Sequence, residues 1–574
     1  MKKSLVLIVS LCLVLSLLFI GCGGKKDTIS TDEKPSENEQ GTTKPDAGKS
    51  QDDTVVGVKV SAPGQYPIVD KKVTLTVLIG GNPAVEDFNS NEFTKWYEEK
   101  TNVHAQFDVL PVKGGQEKLN LILASGDYPD VIMSAGLTAS QIMSFGSQGV
   151  FIPLNDLIDK HGFELKKVLE DEEMAYVKDV ITFPDGNIYA MPDINHCYHC
   201  SMAQKLWIYK PWLDKLGFDI PKTLEEYREI LRAFKTQDPN GNGKADEIPF
   251  AAATTGWFAQ LPGFFMCSFI YCDNNKSMTI KDGKIDVSFN KPEWKQGLKY
   301  LKELYDEGLI SPESFTQDGD QLRQMGENPE IPILGSAVGG HMGVFTQFYG
   351  QSGRWLEYVI VPPLQGPEGT KPTCYYNPFM TGFDTVITKK CQYPEVAFKW
   401  IDGMYELETM LRSLFGRPDK EWRWAKEGEI GLHGGPGLYK LLVPWTETVQ
   451  NNCWYQSGPQ ARTSHFRLSE VYDPEQPLEK ILYEATQLYE PFRPDYTEVL
   501  PPLVFTEEQA SELADLEKTI LDYVKQMVAR FITGDADLET EWEIYLKTLD
   551  DMNLARFIEI HQEAYDLKFK NKNK

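Results

Sequence analysis

Positive charge is in short supply in this chain, whose 574 residues carry 58 Lys and Arg against 84 Asp and Glu, a formal net charge of −26. Such a surface repels phosphate backbones, so nucleic-acid binding is excluded as a function class. Catalytic signatures are equally scarce. No serine elbow, HExxH helix or phosphate-cradling glycine loop occurs, which removes the readings that depend on those motifs. Carboxylates are so numerous that a pair suited to glycoside hydrolysis can be drawn anywhere, and spacing selects none. The apolar run from Leu5 to Ile20 is short for a stable membrane span.

Lys2 and Lys3 before that run, and Gly21 after it, give the layout of a secretory signal over residues 1–21. Phe19-Ile-Gly-Cys22 resembles the lipobox of bacterial lipoproteins, with Phe19 where Leu is usual. The resemblance implies that Cys22 starts the mature chain and carries a diacylglyceryl group and palmitate, whereas an ordinary signal peptide with an incidental cysteine is the competing reading. Residues 22–60 then form the lipidated end and a tether, because from residue 23 to about 55 there is too little apolar content to offset the entropy of ordering. Loss of Lys2 and Lys3 leaves 56 basic against 84 acidic side chains. Of nine cysteines, Cys12 leaves with the signal and Cys22 is lipidated. The remaining seven are an odd number and define no disulfide framework.

Roughly 500 residues of body exceed one usual domain and imply at least two lobes. Val73, Leu75, Val77 and Ile79 alternate with other residues up to Gly80-Gly81, as a strand ending in a loop. Helical spacing around Phe93, Trp96 and Tyr97, a strand from His104 to Val112, a helix over 117–125 and a short buried strand at 130–134 follow. Strands alternating with helices predict a doubly wound α/β lobe. A second such region runs from Trp207-Ile-Tyr to Gly339-Gly-His-Met-Gly343. From Thr506 the pattern becomes helical, with Leu513, Leu516, Ile520, Tyr523, Val524, Met527 and Phe531 on one face, Gly534 as a stop, and another amphipathic helix over 538–549.

Between those regions lies Asp238-Pro-Asn-Gly-Asn-Gly-Lys-Ala-Asp-Glu-Ile-Pro249. It sets oxygen ligands at alternate positions, as in the loop of calcium-binding helix-loop proteins. Asp238, Asn240 and Asn242 take positions 1, 3 and 5, Gly243 makes the turn, and the Lys244 carbonyl and Asp246 follow. Position 12 is Pro249 rather than a bidentate Glu, so Glu247 is the substitute carboxylate. About seven hard oxygens suit calcium better than zinc or magnesium. Upstream, Thr223-Leu-Glu-Glu226 is a capping box opening an amphipathic helix with Leu224, Tyr227, Leu231 and Phe234 on one face. Downstream, Glu247-Ile-Pro-Phe250 cannot start an exit helix, and no second loop of this kind occurs. The helix pair of a sensor is missing, so the expected role of the ion is structural.

With this loop, the turn Gly186-Asn-Ile-Tyr-Ala-Met-Pro192, the run Leu206-Trp-Ile-Tyr-Lys-Pro-Trp-Leu-Asp-Lys-Leu-Gly217, Pro221-Lys-Thr-Leu-Glu-Glu226, Phe531-Ile-Thr-Gly-Asp535 and Tyr565, the chain resembles the large extracellular solute-binding lipoproteins of carbohydrate ABC importers. Within that family it resembles the alginate-oligosaccharide-binding proteins and the Lpl-type lipoproteins. The resemblance implies an α/β, two-lobed periplasmic-binding-protein-like fold with an interlobe cleft and a helical C-terminal region. Expected boundaries are residues 68–192 plus 341–378 for the N-lobe and 193–340 plus 379–574 for the C-lobe, which holds the calcium loop 238–247. Chain crossings are expected near 190–206, 333–342 and 376–386. The implied function is non-enzymatic: capture of an oligosaccharide in the cleft and delivery to ABC permease subunits. The expected form is a monomer, anchored by lipid at Cys22 to the outer face of a bacterial cell membrane. A secreted glycoside-active enzyme, and a surface lipoprotein binding peptides or metal, are the alternatives.

A sugar cleft needs flat aromatic platforms and fixed polar groups at their edges. Trp96, Trp212 and Trp294 sit in helical patterns and are expected in the core. Irregular stretches and crossings supply the better candidates: Trp257 after Thr254-Thr-Gly256, Tyr375, Tyr376, Trp207, Trp355, Trp445 and Trp454, with His196, Asn377, Asn195 and Gln347 as polar partners. His196-Cys-Tyr-His-Cys200 offers zinc-type ligands, but at a spacing poor for one tetrahedral site. The net acidity favours a neutral oligosaccharide over an anionic one.

Overall fold

The structure is a computed structural model that describes residues 54–55, 57–273, 276–444 and 448–570. The signal, Cys22, most of the tether and Trp445 lie outside these residues. Nine strands frame the body: β1 (Val73–Ile79), β2 (Val103–Val109), β3 (Val131–Met133), β4 (Ala190–Asn195), β5 (Leu206–Tyr209), β6 (Ser336–Val338), β7 (Tyr358–Val361), β8 (Thr381–Ile387) and β9 (Ala461–Arg462).

Six of them form the first lobe's sheet in the order β9-β4-β8-β3-β1-β2. β2, β1 and β3 are parallel and are joined by helices at Glu92–Thr101 and Gly115–Ser125, as the alternating pattern predicts. Period-2 geometry divides β1 between two cores. Val73, Leu75, Val77 and Ile79 pack with Phe93, Tyr97, Phe398 and Trp400 on one side, while Leu78 joins Ile132 and Val386 on the other. β8 runs antiparallel to both β3 and β4.

The second lobe is built on a smaller sheet, β6-β5-β7, antiparallel throughout. All four residues of β5 are buried and belong to the second lobe's core. The helix Leu224–Thr236 begins at the expected capping box, with Thr223 accepting from the Glu226 N–H. The C-terminal helices Glu507–Thr533, Leu538–Asp551 and Leu554–Tyr565 join this lobe's core through Ile520, Phe531, Tyr545 and Phe557. Gly534, with φ of 84°, ends the first of them, a left-handed position that glycine occupies without strain.

The lobe boundaries differ from the expected ones in two places. Residues 341–378 lie with the second lobe, because β7 hydrogen-bonds to β5 and Met342, Phe345 and Trp355 enter its core. Residues 379–466 lie largely with the first, since β8 and β9 complete its sheet and a satellite cluster around Trp422 and Tyr439 continues from them. The chain re-enters the second lobe's core at Leu478. Consequently the crossings are 196–205, 362–380 and 463–477, and the stretch near 333–342 is not one: it carries β6, an interior part of the second lobe.

Candidate functional site

The Asp238 loop follows directly from the helix Leu224–Thr236. Asp238, Gly241 and Gly243 all adopt positive φ, which lets the chain curl around its own side chains. Asn240 and Asn242 each donate Nδ2 to Asp246, at 2.8 Å to its two oxygens. Asp238 accepts the backbone N–H groups of Gly241, Asn242 and Gly243, and Glu247 closes over the Asn240 N–H at 3.4 Å. Hydrogen bonds from both asparagines hold the Asp246 carboxyl below its ordinary value. Burial, aided by repulsion from Asp238 and Asp246, raises that of Glu247. Three carboxylates, two amides and the Lys244 carbonyl could supply oxygen donors of the kind calcium takes, and a cation there would relieve the repulsion on Glu247. The extended Ile248–Ala251 stretch bridges to Leu334 and Ala337 beside β6, so no exit helix follows the loop.

Three adjoining cavities lie where the crossings meet. One, of about 270 Å³, is faced by Asn195 and Arg462 from the first lobe, by Arg467 from the third crossing and by Trp257, His341 and Phe348 from the second lobe. The next, of about 520 Å³, is lined by Trp257, Phe258, Tyr375, Tyr376 and Asn377. The last, of about 220 Å³, is lined by His196, Tyr376, Asn377 and Arg493. Trp257 belongs to the first two, and Tyr376 and Asn377 to the last two. Residues drawn from distant parts of the sequence thus line neighbouring cavities.

Trp257 stands half-buried, its ring centroid 5.2 Å from His341 and 5.9 Å from Phe258. Phe258 in turn meets Tyr375 at 4.8 Å. Gly340 makes this possible: a Cβ there would lie 2.0 Å from the Trp257 ring. Arg493 lies over the Tyr376 ring at 5.4 Å and donates to its hydroxyl at 3.3 Å. His196 hydrogen-bonds the Tyr176 hydroxyl, which also meets Thr381 Oγ1 at 2.9 Å. Two polar atoms at the 270 Å³ cavity, Arg462 Nε and His341 Nδ1, have no hydrogen-bond partner among the described residues. Each such unmet group costs about 1–3 kcal/mol, a cost that a hydroxyl-rich ligand or water can offset. Burial pushes the His341 imidazole down to about 4, so it is neutral near pH 7. Burial also raises the Asp193 carboxyl to about 7 although Arg462 opposes the shift.

Three of the expected platforms are corrected. Trp207, Trp355 and Trp454 are at most 2% exposed and present no ring face to a ligand. Trp207 fills the centre of β5 and donates Nε1 to the Gly339 carbonyl; Trp355 packs on Phe348 and Tyr349; Trp454 packs edge-on against Phe93 and Phe107 and donates to Thr94. Loop-like context had suggested accessibility, but loops also cover cores. Gln347 is exposed and lines none of these three cavities. Trp212 and Trp294 are buried as expected, while Trp96 lies at the core's edge under Arg412. Cys197 and Cys200 form a disulfide, and Cys267, Cys272, Cys374, Cys391 and Cys453 are buried. Phe258, His341, Phe348 and Arg462 escaped sequence reasoning. Only the glycine pair before His341 hinted that something large approaches the backbone there.

A family model described as bacterial extracellular solute-binding protein matches residues 83–409. The chain is 30% identical over 520 residues to the fructooligosaccharide ABC transporter substrate-binding protein FusA of Streptococcus pneumoniae, covering 88% of this chain and 93% of that one. Two solved structures of S. pneumoniae FusA are similar at 28% and 27% identity, with TM-scores of 0.72 and 0.71 over 87% of this chain and 100% of theirs. One is in complex with kestose, the other is an EF-hand mutant in complex with fructo-nystose. The chain belongs to the family of bacterial extracellular solute-binding proteins. Its two-lobed α/β architecture with a helical C-terminal region is the fold of that family.

Proposed function

We propose that this protein captures a neutral oligosaccharide between its lobes and delivers it to the permease of an ABC importer, without cleaving it. The carrying observation is the aromatic wall of Trp257, Phe258, Tyr375 and Tyr376, flanked by Asn377 and by the unpartnered Arg462 Nε and His341 Nδ1. Aromatic faces suit the C–H faces of pyranose or furanose rings, and the polar atoms suit their hydroxyls. Groups from both lobes contribute, so a bound sugar favours the closed arrangement and presents both lobes to the permease. The names of the FusA relatives make fructo-oligosaccharides the first ligands to test.

The Asp238 loop takes calcium in this reading and staples the second lobe. Its nearest tie to the ligand region runs through the 248–251 stretch rather than through any side chain lining the cavities. Cys22 carries the lipid anchor, with the tether giving reach from the membrane surface. Isothermal titration of the purified protein with kestose, a neutral plant-wall oligosaccharide and an oligogalacturonate, with product chromatography after long incubation, tests the proposal. Saturable binding of a neutral sugar without new reducing ends is expected. Failure of every sugar to bind, or release of shorter products, refutes it.

A further inference from the structure

The Cys197–Cys200 disulfide lies in the first crossing, on the short helix Tyr198–Ser201. Between the two cysteines His199 is buried, with each ring nitrogen addressed by a different group. Its Nε2 is 3.4 Å from Cys197 Sγ, and its Nδ1 is 3.5 Å from Glu479 Oε2, a carboxylate that Arg467 also meets at 3.7 Å. The backbone carbonyl of His199 accepts from Lys205 Nζ at 2.8 Å, which fixes the turn. The ligand atoms of Cys197, His199 and Cys200 all lie within 4.8 Å of one another. His199 and Cys200 also line the 270 Å³ interlobe cavity.

We propose that two-electron reduction of Cys197–Cys200 creates a soft-metal site in which both thiolates and His199 Nε2 bind a zinc-like divalent cation, with Glu479 orienting the imidazole. In tetrahedral coordination with Zn–S near 2.3 Å and Zn–N near 2.0 Å, a nitrogen and a sulfur stand about 3.5 Å apart and two sulfurs about 3.8 Å. The His199–Cys197 edge is therefore nearly at ligand distance already, the sulfur–sulfur edge must open, and the His199–Cys200 edge starts from within 4.8 Å. A carboxylate on the far imidazole nitrogen is the usual partner of a metal-bound histidine. The cavity supplies water for the fourth position.

The electrons come from an external dithiol. Its thiolate attacks Cys200 Sγ, which borders the cavity, and releases the Cys197 thiolate. The dithiol's second thiol then resolves the mixed disulfide, so the reductant ends as a disulfide and the protein as a dithiol. Cation binding displaces the two thiol protons. The same turn carries His196 and Tyr198 at the neighbouring 220 Å³ cavity, so the redox state of the crossing also bears on the ligand region.

The test uses the full chain and cobalt(II) as probe, with a phosphine reductant because a dithiol would itself chelate. Anaerobic titration after reduction and desalting is expected to give thiolate-to-cobalt charge transfer and tetrahedral visible bands at about one equivalent per chain. The oxidised protein is expected to give neither. Glu479→Gln is expected to weaken uptake by about tenfold or more, and the Cys197→Ser/Cys200→Ser pair to abolish it. Should that pair fail to fold, the oxidised wild type remains the metal-free control. Absence of the thiolate spectrum in reduced, folded wild type overturns the proposal. So does an equal spectrum in the double serine variant, which would move the site to the other cysteines.

Discussion

Gly340→Ala perturbs Trp257 without altering the tryptophan itself. The Gly340 N–H donates to the Trp257 carbonyl at 2.9 Å, and an added Cβ would sit 2.0 Å from Cε3 and 2.3 Å from Cζ3 of the ring. Carbon atoms at rest lie about 3.5–4.0 Å apart, so the ring must retreat by roughly 1.5 Å, enough to spoil a stacking platform. Overpacking of this kind costs about 1–3 kcal/mol of stability. Removing a central tryptophan from a binding site costs about 2 kcal/mol or more, which is roughly 30-fold in Kd. We expect Trp257→Ala to weaken kestose binding by about that factor, and Gly340→Ala to weaken it by about tenfold or more. The two changes should not add, because with Ala at 257 the new methyl has nothing to strike. Calorimetric titration gives the affinities, and thermal melts show the destabilisation of Gly340→Ala and its rescue in the double variant. Wild-type affinity in both single variants, alongside the expected melt of Gly340→Ala, refutes Trp257 as a platform.

Calcium removal by a chelator should lower the melting temperature while leaving sugar affinity nearly unchanged, and Asp238→Ala should melt low with or without chelator. At calcium a hundredfold above Kd the bound ion contributes about 2.7 kcal/mol; a large affinity loss in a folded protein would instead put the loop in the ligand site. Asp193 provides a pH signature. Its folded pKa, raised from 3.8 to about 7 chiefly by burial, means that the folded state holds a proton the unfolded chain has lost. This contribution is therefore fully favourable below about pH 4, is lost as pH rises to about 7, and amounts to roughly 4 kcal/mol at most. Asp193→Asn should flatten that part of the stability–pH curve relative to wild type in urea titrations, and an unchanged slope counts against the buried acid. Thr223→Ala removes the cap of the helix leading to the calcium loop and should cost about 1 kcal/mol by urea unfolding.

Local chemistry was readable directly. The alternation of Val73, Leu75, Val77 and Ile79 specifies a strand with one face inward, Thr223 and Glu226 specify a helix start, and Gly534 a helix stop, because each depends on neighbours within a turn or two of chain. The tight turn at Asp238 was readable for the same reason, its hydrogen bonds among Asp238, Asn240, Asn242, Gly243 and Asp246 all being local. Family membership followed from such short runs taken together.

Which residues line the interlobe cavities is another matter. Trp257, Tyr376 and His196 were separable from the other aromatic and polar candidates only once three crossings folded onto one another, and Trp207 and Trp454 went into cores that no local pattern marks as near. Strand pairing was decided in the same way. β8 belongs to the first lobe because it hydrogen-bonds between β3 and β4, partners roughly 250 and 190 residues upstream, a choice set by long-range packing and not by its own sequence. Period, caps and short-range ligand loops are therefore written in the chain, while burial and convergence across crossings exist only after the two cores have formed, since both are properties of what other segments leave uncovered.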